Sequence, residues 1–208
     1  MSWGIFTAMK KQTKIVNAPK KYREEIRHTA ECAFQRAIIL GGQSVLNGQS
    51  VIWLDIELPV DLSGHARGRC VDLIGIDVEG NYVLCELKFR KKYRDNGNPE
   101  EAAKQLSEYM ELIKANYKAF GSSYHHDNGK PINWEKVTNG NTRLVIAANS
   151  GYWESYFGPR RKGETYNTMG MECYSVDIKD DTFVNQKLNK KTYTPIMPEE
   201  GLEWNKIR

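Results

Sequence analysis

The sequence predicts an α/β fold, a mixed β-sheet flanked by helices, and three observations carry that expectation. Residues 69–88, RCVDLIGIDVEGNYVLCELK, form two strand-like apolar runs about a turn. Stretches on either side repeat apolar residues at helical spacing. The order helix, strand, hairpin, helix, strand then calls for a crossover that builds a mixed sheet with helices on both faces.

The first helix is expected from Tyr22 to Leu40. Ile26, Ala30, Ala33, Phe34, Ala37 and Ile38 recur at its period, and Gly41-Gly42 end it. Before it, Met1 to Lys21 mixes Trp3, Ile5, Phe6 and Met9 with five lysines and reads as an arm packed on the domain. Val51 to Val60 alternates Val51, Trp53, Asp55 and Glu57 against Ile52, Leu54, Ile56 and Leu58, a strand with one buried face ended by Pro59.

In the hairpin, Glu79-Gly80-Asn81 supplies turn residues that tolerate positive φ. A turn centred on Gly80 sets Asp72 opposite Lys88, with Glu86 diagonal on the same face. Charges on an apolar strand pair are expensive to desolvate unless they bind something. Asp72 and Glu86 offer hard oxygen ligands for Mg²⁺, with Mn²⁺ as a substitute, and the Leu87 carbonyl offers a third. Lys88 then orients a nucleophilic water, the equipment for phosphodiester hydrolysis. The plainer alternative is a surface hairpin with a cross-strand Asp–Lys pair.

Asn98-Pro99-Glu100-Glu101 reads as a helix start with a capping Asn and acids in the first turn. Ala102, Leu106, Met110, Ile113 and Tyr117 form the apolar stripe that follows. Gln105 and Tyr109 stand one turn apart on its flank. Asp72, Glu86-Leu87-Lys88 and Gln105-x-x-x-Tyr109 together resemble the PD-(D/E)xK nuclease superfamily, in its RecB-like branch. Val71 stands where that family often has proline.

The resemblance spans about Tyr22 to Ala148 and implies a restriction-endonuclease-like fold and a metal-dependent nuclease that hydrolyses DNA, with RNA left open as the alternative substrate. It implies that Gln105 and Tyr109 face the active site and position the phosphate or the attacking water. It also nominates Glu31, midway along the first helix, as a metal ligand. Many nucleases of this fold pair two sites, so a homodimer is admitted, although no stretch marks a dimer surface.

Arg90, Lys91, Lys92, Tyr93 and Arg94 follow the ExK strand directly, four cations around an aromatic. Such residues hold a phosphate backbone without reading sequence, and Tyr93 offers a stacking surface for an unpaired base. Gly121 to Asn141 reads as a surface excursion. His125-His126-Asp127 within it lacks metal-ligand spacing, since adjacent residues rarely point at one ion.

Thr142 to Ala148 is expected as a strand, completing a β-α-β crossover with the Gln105 helix. The aromatic cluster Tyr152, Trp153, Tyr156 and Phe157, followed by Arg160, Arg161 and Lys162, suits either a second nucleic-acid contact or the edge of the core. Met171 to Lys179 alternates as a final strand, and the polar residues beyond Asp180 read as a C-terminal extension.

At 208 residues, 40% hydrophobic and 27% charged, the chain suits one globular domain with its core at 22–178. A net charge of +4 admits a polyanionic partner. Cys32, Cys70, Cys85 and Cys173 show no CxxC spacing, which argues against zinc and a disulfide framework. No run approaches the ~20 apolar residues of a membrane span, so a cytoplasmic protein with no membrane partner is expected. Two competitors to the nuclease are a non-cleaving nucleic-acid-binding module and a protein-interaction domain docking through Tyr152 to Phe157.

Overall fold

The computed structural model describes residues 35, 38–39, 43–61, 69–89, 97–120, 132–159, 165–176, 184–187, 190–194 and 202–207. Gln35, Ile38 and Ile39 are helical. Strands β1 (Gln43–Leu46), β2 (Gln49–Pro59), β3 (Cys70–Asp77) and β4 (Tyr82–Lys88) follow as an antiparallel meander. Helix α1 (Pro99–Phe120) and the short α2 (Trp134–Asn139) then carry the chain to β5 (Arg143–Ala148), parallel to β4. Helix α3 (Ser150–Phe157) leads to β6 (Glu172–Ser175), parallel to β5. Strands β7 (Val184–Lys187) and β8 (Lys190–Thr194) pair with each other, antiparallel. Last comes β9 (Leu202–Lys206).

The expected mixed sheet flanked by helices on both faces, the restriction-endonuclease-like architecture, does not form. The sheet closes on itself as a barrel in the order β1-β2-β3-β4-β5-β6-β9. The closing strand lies in the stretch read as a C-terminal extension. β9 runs antiparallel to β6, with Tyr174 opposite Lys206, and parallel to β1, with Ser44 opposite Leu202. Its Leu202 and Trp204 alternate into the core while Glu203 and Asn205 stay exposed, so it inserts as a half-buried strand. Pairing both edges removes the unpaired N–H and C=O rows that an open sheet exposes.

Two hydrophobic clusters divide the residues by face. Leu46, Val51, Trp53, Ile56, Leu73, Val83, Cys85, Leu87, Val145, Ala147, Tyr174, Leu202 and Trp204 pack together inside the barrel, with Ile38 among them. Trp53 stacks on Trp204 at 5.2 Å between ring centroids. Gly75 makes room for this packing, because a Cβ there would stand 2.8 Å from the Trp53 ring. The outer cluster joins Leu84, Ile146 and Ala148 to Ala102, Leu106 and Ile113 of α1 and to Tyr152 and Trp153 of α3. The helices α1 to α3 therefore cover the outside of β3, β4 and β5. No helix among the described residues is long and apolar enough to cross a membrane.

The start of α1 forms as its residues dictate. Asn98 Oδ1 accepts from the Glu101 N–H at 2.9 Å while Asn98 N–H donates to Glu101 Oε2 at 3.0 Å, a reciprocal cap. The hairpin register differs from the expected one. Asp77 Oδ1 accepts from the N–H groups of Glu79 and Asn81 at 3.0 and 2.8 Å, which tightens the turn towards β3. Leu73 consequently pairs with Cys85 and Ile76 with Tyr82, so the continued register sets Asp72 across from Glu86, not Lys88.

Candidate active site

The site lies at the carboxyl end of β4, on the face covered by α1. In β4, Leu84 packs outward against α1 while Val83, Cys85 and Leu87 point into the barrel. By strand alternation Glu86 and Lys88 therefore face the helix. Glu86 is only 2% exposed and Lys88 9%. Their ion pair is close, with Lys88 Nζ donating to Glu86 Oε1 at 2.7 Å.

Helix α1 supplies the next two groups, at i and i+4 on one flank. Lys88 Nζ donates to Gln105 Oε1 at 3.2 Å, and Gln105 Nε2 donates to the Tyr109 hydroxyl at 2.7 Å. Burial raises the Tyr109 phenol above its usual value. The Gln105 hydrogen bond opposes that rise, and the nearby Glu86 and Asp72 charges add to it. Tyr109 is thus a protonated phenol at neutral pH. The Cys85 thiol, on the opposite face, is pushed well up by burial and then by the charges of Asp72 and Glu86, and stays protonated.

Asp72 completes the cluster from β3. Its Oδ2 accepts from the Leu87 N–H at 2.7 Å, just past the last ladder pair of β3 and β4. Leu87 thus meets the site through its amide. Asp72, Glu86, Leu87, Lys88, Gln105 and Tyr109 are therefore brought together, while Glu31 and the run Arg90, Lys91, Lys92, Tyr93 and Arg94 lie outside the described residues, as do His125 and His126.

A residue passed over in the sequence belongs here too. Gln35, 3% exposed, donates through Nε2 to the Asp72 carbonyl at 2.7 Å and lies 3.4 Å from Asp72 Oδ1. It is four residues beyond Glu31, one turn further along the same expected helix, and that i to i+4 relation is the signal that could have found it. Glu57 sits across β2 from Asp72, between the pairs Ile56 with Leu73 and Leu58 with Val71, and has φ of 48°. By contrast, Tyr152, Trp153 and Tyr156 are buried against the outer core, and the Trp153 indole donates to the Tyr174 carbonyl at 2.8 Å. These three are core residues.

Among the described residues no group of three or more His, Cys, Asp or Glu side chains stands together to hold a metal ion. The donor set is the carboxylates of Asp72 and Glu86. One or two carboxylates completed by water and substrate phosphate are a usual donor set for Mg²⁺ or Mn²⁺, and these two do not make an all-protein cage. No family model, curated protein or solved structure matches the chain.

Proposed function

We propose that the protein is a metal-dependent nuclease that hydrolyses DNA phosphodiester bonds at this cluster. The observation that carries the reading is the chain of contacts Glu86, Lys88, Gln105, Tyr109 at 2.7, 3.2 and 2.7 Å beside Asp72. Two carboxylates, an ammonium and a phenol gathered at one strand end have a chemical use that a folding core does not require.

When bound by Asp72 and Glu86, Mg²⁺ or Mn²⁺ would polarise the phosphate and lower the pKa of water. The chain's own groups divide the remaining work. Lys88 brings positive charge to the attacking and developing oxyanions. Gln105 fixes the ammonium, and Tyr109 fixes Gln105 while keeping its own proton. The cationic run from Arg90 to Arg94 argues, from sequence, for a polynucleotide over a small phosphodiester.

The test is cleavage of labelled single-stranded and duplex DNA, and of RNA, with Mg²⁺ or Mn²⁺ against EDTA, with Glu86→Ala and Lys88→Ala as controls. Metal-dependent cutting lost in both variants supports the reading. DNA binding that survives EDTA and both substitutions without any cleavage replaces it with a non-cleaving binding module.

A further inference from the structure

We propose that Gln35 is a positioning residue for Asp72, holding the carboxylate in the direction that the metal-binding role requires; this deepens the nuclease reading and rests on it. The need for such a residue comes from the backbone. Residues two apart in a strand share a face. Yet Ile56 and Leu73 lie in the inner cluster, while Leu58 and Val71, two positions away on the same strands, lie in the outer one. Both strands reverse face at one level, between Glu57 and Asp72. Glu57 takes up the reversal in β2 with its left-handed φ of 48°, a conformation that L side chains rarely adopt.

At such a reversal the pleat no longer dictates whether the Asp72 side chain points into the barrel or out of it. The aim must then be fixed by contacts. Two donors fix it. The Leu87 N–H holds Oδ2 at 2.7 Å from the β4 side. Gln35 Nε2 holds the Asp72 carbonyl at 2.7 Å and flanks Oδ1 at 3.4 Å from the helix side. A glutamine suits this place better than an acid or a lysine. It donates without adding a second negative charge, and it carries no positive charge to compete with a cation for Asp72. Its burial at 3% exposure keeps water from substituting for it.

The experiment compares the wild-type chain with Gln35→Met, which keeps length and removes the donor, and Gln35→Glu, which sets a carboxylate against the Asp72 carbonyl. Three readouts are taken: Mn²⁺ affinity by calorimetry, the metal concentration for half-maximal cleavage against KM for DNA, and hydrogen exchange of the Leu87 amide relative to Val83 and Leu84. Loss of the donor to the Asp72 carbonyl, with its longer contact to Oδ1, predicts Leu87 exchange faster and metal affinity weaker by roughly tenfold in Gln35→Met, and more in Gln35→Glu, at unchanged KM. A purely structural Gln35 would lower thermal stability and leave the relative Leu87 exchange as in wild type, and that result overturns the proposal. Wild-type protein that cleaves nothing defeats the nuclease reading alone, because the Leu87 exchange decides the role of Gln35 without any cleavage.

Discussion

The buried ion pair of Glu86 and Lys88 permits a thermodynamic test. At 2.7 Å the attraction is worth about 6 kcal/mol at an effective dielectric constant near 20. Desolvation offsets it by several kcal/mol per ion, because the two side chains are only 2% and 11% exposed. The pair is then nearly neutral against an uncharged replacement, while removing one partner takes the opposing charge away from a buried ion. Lys88→Met should therefore cost about 3 to 5 kcal/mol, with about 1 kcal/mol of that from the lost bond to Gln105. Glu86→Gln should cost a similar amount, and the double variant should recover to within about 2 kcal/mol of wild type. Urea unfolding of the four proteins at pH 7, at constant m-value, gives the coupling energy. Additive single costs below about 1 kcal/mol would refute the reasoning, since that is how a solvated surface pair behaves. On the proposed nuclease reading all three variants also lose metal-dependent cleavage, so the stable double variant separates lost chemistry from lost folding.

Two further outcomes follow from the far end of the barrel. Arg143 Nε and Nη2 donate to the two Glu172 oxygens at 2.8 and 3.0 Å and hold that carboxyl below the usual range, helped by the Tyr174 hydroxyl at 2.6 Å. A depressed folded value means that the unfolded chain binds the proton first, so this stability is complete above the ordinary carboxylate value of about 4.3 and disappears as pH falls through the folded one. Glu172→Gln should lower stability by about 1 to 2 kcal/mol at pH 7 and by progressively less in melts taken from pH 4 down to 2; a gap that does not change with pH would contradict this. Gly75→Ala would place a Cβ 2.8 Å from both Trp53 and Val51 and 2.9 Å from the Ile52 carbonyl. Backbone cannot yield as a side chain does, so a loss of about 1 to 3 kcal/mol is expected in thermal melts, and an unchanged Tm would show that the sheet has slack there.

The elements that could be read from sequence are those whose determinants are local. Asn98-Pro99 and Glu101 declare the start of α1 within four residues, and the cap forms as written. Gln105 and Tyr109 could be paired because i and i+4 share a helix face. The hairpin was legible as a hairpin, but its register was not. The Asp77 side chain accepts two backbone N–H groups and draws the turn towards itself, which shifts Asp72 from Lys88 to Glu86. Helix α2 escaped notice because its six residues are too few to show a period. Its start is nonetheless marked by Asn133 Oδ1 accepting from the Lys136 N–H at 2.9 Å.

Barrel closure depends on partners that no local window contains. β1 is four residues long and β9 five, and alternation over so few positions is indistinguishable from chance in a polar stretch. Their pairing joins Ser44 to Leu202 across most of the chain. The local geometry that assembles Asp72, Glu86, Lys88, Gln105 and Tyr109 needs only the β3–β4 hairpin, the α1 crossover and the parallel placement of β5. That arrangement is compatible with an open sheet as well as a closed one. The motif therefore constrained where its own side chains meet and said nothing about the opposite wall, where Trp204 against Trp53 and the two edges of β9 decide the architecture. The fold expectation failed at β9, the strand farthest in sequence from the motif that prompted it.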